Sequence, residues 1–568
     1  MPTDRDPRRP RGHRRLLRSL ALTGALVTSA AGSLVAPAVA AADAGTTVVG
    51  ELVHVVTEGE AGGAAHAAGH ADADGSRLSW VQTEEGAVRV PAEQVAGLPT
   101  GATVELTVGA PVEDEASEDG YDEAREVLDS DVLAPPPSTA PEPAPAPRGG
   151  LTNEVTVVLV APAGTTPDGT RLRDVVAAVD GSVARFWAEQ TGGAITLGVT
   201  DSRDWLSTAA GCGDPAAMWD EAAAAVGFVP GAGKHLMLRL SGETANQPAC
   251  SYALAEVGAG PASGGRLYVR DTSTSVIAHE FGHNFGLGHS SSAQCDGAVE
   301  TGACRVTGYR DYYDVMGASW AQLGSLNAAQ ASALRVLPGD AERTVSVGEG
   351  ATEVTLAPLA GTEGVRALRL VGAEGLAYWL ELRSAVGQDA WLGTRDNVYR
   401  LDTGVLLHRS GQFPDTSLLL DGSPSAAAGW DADLQAALPV GVAVPLSGGD
   451  FTVTVQRMDQ AGAVVRVVPA VRAPAAAPAA RPASPARGGT IAADRGAEPE
   501  VAVAAAAPQA FWAPDIAVSA PRRPMLLEPV ADSTSSLGGL LVPVAATALA
   551  GATLLLVRHL RRARLIRR

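Results

Sequence analysis

The chain of 568 residues is 46% apolar but only 4% aromatic, and its formal charge of −20 is unevenly spread. The first 40 residues carry +5 and the last eleven +6, so the body between them is near −31, which speaks against nucleic acid as a partner. The length also excludes a single ordinary core; three or four units are expected.

Residues 1–40 have an arginine-rich start, an apolar stretch and a small-residue exit at Ala38, Val39 and Ala40, the pattern of a secretory signal peptide. The arginine pair in "RRLLR" leaves the Sec and twin-arginine routes both open. Residues 41–133 read as a small all-β unit, a candidate propeptide, from "TTVVGELVHVV", "RLSWVQ", "GAVRVP" and "ATVELTVG". Its acidic run at 113–131 lacks EF-hand spacing, so a solvated charged face is preferred and calcium has no support. The proline-rich stretch 134–149 is a stiff linker.

An α/β domain is expected over 150–340. "EVTVVLVAP", "AITLGV", "KHLMLRL" and "RLYVR" are its strands. One helix places Val175, Val176, Val179, Val183, Phe186 and Trp187 on a single face, and "MWDEAAAAVGF" forms another. Residues 341–469 return to β patterning, in "EVTLAP", "VRALRLV", "YWLELR", "GVLLHR", "FTVTVQ" and "AVVRVV", and predict a β-sandwich. Residues 470–536, rich in Pro and Ala, read as a disordered stalk. Residues 537–557 are uncharged and long enough for one transmembrane helix, with a basic cytoplasmic tail at 558–568. A cell-surface, C-terminally anchored protein follows, and the Ala, Gly and Arg usage resembles that of a high-GC bacterium.

All four cysteines, Cys212, Cys250, Cys295 and Cys304, fall within the α/β segment. Disulfides are expected, with Cys295–Cys304 closing a small loop and Cys212–Cys250 the second pair, one of three connectivities. No CxxC spacing supports a cysteine-ligated zinc site.

The chemistry concentrates in "SVIAHEFGHNFGLGHSSS". Three of only ten histidines, His279, His283 and His289, occupy eleven consecutive positions there. His279 and His283, four apart on a helix, project from one face and can hold one metal ion. Glu280 lies beside the pair, within reach of a water on the metal. Gly286 lets the backbone leave the helix through a positive φ, and His289 completes three nitrogens with an open position, a catalytic zinc arrangement. Zinc so held acidifies water and polarises a carbonyl, while Glu280 takes the water's proton and passes it to the leaving amine. "GAGKH" is too short for a phosphate loop, and no GxSxG elbow supports a serine hydrolase. His235 and His408, in strand-like runs, read as structural.

"HEFGHNFGLGH" resembles the zinc signature of the metzincin metallopeptidases, and "YYDVMG" supplies Met316 for their methionine turn, 27 residues after His289. With "HNFGLGHS", the combination is most similar to the gametolysin-type peptidases and their bacterial relatives. The resemblance covers about 150–340 and implies a metzincin-like fold, a platform role for Met316 and a protein or peptide substrate. Two features depart from it. Position 318 is Ala, where some metzincins have a tyrosine, and nothing selects among Tyr309, Tyr312 and Tyr313 as a substitute. Residues 41–150 contain no cysteine, so a cysteine-based latency switch is excluded; inhibition by that unit would be steric or act through His54, His66 or His70.

The expectation is thus a multidomain, membrane-anchored zinc metalloendopeptidase with one catalytic Zn2+. Its α/β metzincin-like domain would be flanked by the all-β unit and the sandwich. A surface adhesion protein with a vestigial protease domain and a zinc amidase acting on cell-wall peptides are the alternatives.

Overall fold

The computed structural model describes residues 45–59, 77–136, 150–319 and 322–470. The expected signal peptide, nearly all of the linker and stalk, the 537–557 span and the basic tail lie outside them. Multiple sheets, mixed with short helices, build the molecule.

The N-terminal strands are β1 (Thr46–Glu58), β2 (Arg77–Thr83), β3 (Gly86–Val90), β4 (Thr103–Val112) and β5 (Ala124–Ala134), with single-turn helices α1 (Ala92–Val95) and α2 (Glu115–Glu118). The acidic run supplies α2 and β5, and the outer residues of β5 stand in solvent. Next come β6 (Asn153–Ala161), α3 (Leu172–Ala178), α4 (Ala184–Gln190), β7 (Leu197–Ser207), α5 (Pro215–Val226), β8 (Lys234–Leu240), β9 (Ala253–Glu256), β10 (Gly265–Val269) and α6 (Thr274–Asn284). A π-helical turn, Val179–Val183, joins α3 to α4 in one run. Of the predicted apolar face, Val175, Val179, Val183, Phe186 and Trp187 are buried, and Val176 is half-buried.

These strands form one ten-stranded sheet, with the path β3-β2-β1-β9-β10-β8-β6-β7 and β4 and β5 branching from β1. Strands β7, β6, β8 and β10 are parallel, and β6 is a continuous apolar run because helices or loops cover both its faces. Strand β9 runs antiparallel to β10, and β1 runs antiparallel to β9. The N-terminal strands therefore continue the sheet of the following segment and share its core: Val53, Val55, Leu78 and Trp80 pack with Val158, Trp219 and Leu238.

The remaining strands are β11 (Ser290–Cys295), β12 (Cys304–Thr307), β13 (Glu342–Ser346), β14 (Thr352–Leu356), β15 (Ala367–Val371), β16 (Ala377–Arg383), β17 (Gly404–Ser410), β18 (Ser417–Leu420), β19 (Ala443–Leu446), β20 (Phe451–Met458) and β21 (Ala463–Pro469), with α7 (Ala328–Ala333) between β12 and β13. A seven-stranded sheet (β12-β11-β18-β17-β16-β15-β13) and a four-stranded one (β14-β21-β20-β19) enclose a common core of Val345, Leu368, Leu380, Leu407, Phe451 and Val465. Strand β11 starts one residue after His289, so the segments either side of position 340 share this sheet.

The disulfides are Cys212–Cys250 and Cys295–Cys304. The expected location does not stand. Among the described residues no helix is long and apolar enough to cross a membrane. The longest helical run, 172–190, carries Arg173, Asp174, Asp180, Arg185 and Glu189, whose charges bar it from a hydrocarbon layer.

Candidate metal centre

Every residue of α6 from Ser275 to Asn284 is buried. Asn284 fixes the end of the helix: its Nδ2 donates to the carbonyls of Glu256 (2.9 Å) and Arg266 (3.3 Å), and its Oδ1 lies 3.0 Å from Nδ1 of His235. Gly286 then turns the chain with φ +93°. A Cβ there would come within 2.9 Å of the Gly258 carbonyl oxygen. The third histidine is held from elsewhere. The His289 amide donates to Pro414 O (2.6 Å), the His289 carbonyl accepts from the Ser417 amide (3.2 Å), and β11 pairs with β18. The C-terminal sheet thus places His289.

The rings of His279, His283 and His289 have centroids 4.8, 5.0 and 5.6 Å apart. Nδ1 of His279 donates to Val315 O and Nδ1 of His283 to Leu287 O, both at 2.8 Å. Those bonds fix the tautomers and leave the Nε2 lone pairs facing the common centre. Met316 lies fully buried beneath, so close that a Cβ on Gly282 would meet its Sδ at 2.2 Å. Its loop is tied by Asp314, which accepts from Met316 N (2.7 Å) and Ser290 Oγ (2.9 Å).

A fourth residue completes the cluster: Glu58, at the end of β1. Its Oε1 lies 3.4 Å from Nε2 of His279, 3.4 Å from that of His283 and 3.2 Å from that of His289. A zinc ion bonded at about 2.0–2.1 Å to four tetrahedral ligands separates those ligand atoms by about 3.3–3.4 Å, which the Glu58 distances match, and the four ligand atoms all lie within 4.8 Å of one another. Burial opposes charge on Glu58, but the imidazoles, His279 foremost, hold its carboxyl well below the usual range. Burial lowers His283, and lowers His289 to about 4; at His279 the Glu58 carboxylate outweighs burial and raises the value.

Glu280 is fully buried, and neither carboxylate oxygen has a hydrogen-bond partner among the described residues. Burial first and the Glu58 charge second push its carboxyl well above the usual range. Of the three tyrosines, Tyr309 lies against the histidines, its ring centroid 3.9 Å from that of His289. Tyr312 stacks on Tyr399, and the Tyr313 hydroxyl donates to Asp402. His54 bonds Ser79 Oγ and the Leu98 carbonyl and is not at the centre; His66 and His70 lie outside the described residues. Sequence reasoning missed Glu58 because nothing local marks it among 63 acidic residues.

Residues 242–310 match the family described as "Metallo-peptidase family M12B Reprolysin-like". That stretch holds the three histidines and Glu280. The match and the buried cluster together support a metallopeptidase. No curated protein matches the chain. One solved chain, from "Structure of a chaperone-substrate complex", is 14% identical with a TM-score of 0.18, over 32% of this chain and 34% of that one. The likeness spans about a third of that chain and is too low to carry an argument about the metallopeptidase. The matched stretch ends before Met316, so the turn beneath the histidines is a feature of the structure beyond it.

Proposed function

We propose that the chain is a zinc endopeptidase in which His279, His283 and His289 hold the ion and Glu280 is the general base and acid. The single observation carrying this reading is the convergence of three imidazole Nε2 atoms, with the buried carboxylate of Glu280, which has no bond among the described residues, next to His279 on the same helix. When bound, the zinc ion supplies Lewis acidity and lowers the pKa of water to about 7. Glu280, one residue along the helix from His279, accepts the water's proton at a carboxylate oxygen and delivers it to the amine nitrogen of the cleaved peptide bond. The Val315 and Leu287 carbonyls keep two imidazoles in the ligating tautomer, and Gly286 and Met316 shape the turn and floor under them. The Met316 turn after "HNFGLGHS" supports a metzincin arrangement of the gametolysin type.

Metal analysis and cleavage of casein by the full chain test this. One zinc per chain, lost in His283→Ala, is expected. Glu280→Ala keeps the metal and loses cleavage about 100-fold or more, in line with removal of a general base. Undiminished cleavage by Glu280→Ala, or absence of metal from the wild-type chain, overturns the reading.

A further inference from the structure

Residues 55–58 of β1 lie extended along β9, with Val55 opposite Glu256, Val56 opposite Ala255, Thr57 opposite Leu254 and Glu58 opposite Ala253. Further main-chain bonds clamp both ends: Val257 N donates to His54 O (2.8 Å) and Tyr252 N to Glu58 O (2.7 Å). The pairing delivers the Glu58 carboxylate to the face where the three Nε2 atoms converge. An extended peptide, bound by strand addition to an exposed sheet edge and presented to these histidines, would need this same track.

We propose that the β1–β5 unit is a built-in inhibitor: the tip of β1 occupies the substrate's place on β9, and Glu58 takes the metal's remaining coordination position. This rests on the zinc peptidase reading above.

Two observations separate an inhibited centre from a purely structural one with four protein ligands. Glu280 is sealed beside the ligands with both oxygens unbonded among the described residues, and burying an unpaired carboxylate costs several kcal/mol. A structural site has no use for that group; a peptidase with its water position filled does. The second is the way the tip is held. Among the described residues the β1–β2 ladder runs to Val56, opposite Arg77, and the β1–β9 ladder continues through Thr57 to Glu58, the last residue of the strand. Glu58, at the strand's end, can leave the centre while the shared core of Val53, Val55 and Trp80 stays in place.

The test uses the full chain loaded with cobalt(II), whose visible absorption reports a change of ligand, and acetohydroxamate as a small metal-directed probe. Glu58→Gln, which keeps the shape, and Glu58→Ala are compared with wild type, and near-UV circular dichroism checks that each is folded. An intramolecular ligand competes at an effective concentration in the millimolar range or above, so both variants should bind the probe about tenfold or more tightly than wild type. Casein cleavage should rise with it. Equal probe affinity in wild type and both variants overturns the proposal. Tighter probe binding without casein cleavage supports the inhibitory contact and removes the endopeptidase reading. A chain that takes up no metal overturns both.

Discussion

His235 is where acid should act on this molecule. The ring is fully buried beneath α6, its Nδ1 3.0 Å from Asn284 Oδ1 and its Nε2 2.9 Å from Asn153 Oδ1. Asn284 spends its amide nitrogen on two carbonyls, so its oxygen accepts from Nδ1–H; turning the Asn153 amide then lets its nitrogen donate to Nε2, and the ring is satisfied while neutral. Burial lowers His235 from 6.5 to about 4, against the opposing Asn284 bond. The folded state thus resists the proton that the unfolded state binds below about 6.5. Stability is intact above that pH and lost as pH falls towards 4. A shift of that size is worth about 3 kcal/mol at 1.36 kcal/mol per unit. Urea unfolding of wild type and His235→Gln at pH 7 and pH 4 measures it, because Gln can bond both asparagines without titrating and all other titrations cancel in the comparison. Wild type should lose about 3 kcal/mol more than the variant between the two pH values. A stability difference between the two proteins that does not change with pH would refute the reasoning.

Gly288→Ala should loosen the third ligand, since its Cβ would stand 2.2 Å from the Pro414 carbonyl oxygen, a main-chain atom that cannot step aside. A loss of about 1–3 kcal/mol on urea unfolding and a weaker zinc affinity in a chelator competition are expected. Removing the Cys212–Cys250 disulfide, which spans 38 residues, should cost about 4 kcal/mol, against about 2.6 kcal/mol for Cys295–Cys304, which spans nine. Thermal melts of the two double-alanine variants check that order.

The convergence of the histidines within eleven residues was legible because helix geometry brings His279 and His283 together and the positive φ at Gly286 lets the chain return. Eight strands of the ten-stranded sheet were legible for the same local reason, β6 as an apolar run and β2 as a short β-rich segment, but β5, read as a solvated acidic run, and the four-residue β9 were not. The small loop closed by Cys295–Cys304 was likewise within reach. What escaped depends on pairings between distant segments. Glu58 is 231 positions from His289 and reaches it only through the β1–β9 ladder. Strands β11 and β18 carry Ser and Leu in no clear alternation and exist through each other. The π-helical turn at Val179–Val183 adds one residue to a turn without disturbing the apolar face, so periodicity does not betray it. The expected membrane location drew on hydropathy at the chain's end, and nothing in the described residues carries it.

The grip of Pro414 and Ser417 on His289 bears on anyone who would trim this protein to a minimal enzyme. A fragment stopped near position 340 keeps α6 and the motif but discards both main-chain tethers and the strand beside β11. It would expose a bare sheet edge prone to self-association and leave one imidazole untethered. A unit that keeps both tethers and the partner of β11 runs through β18, well past the last residue of the histidine motif.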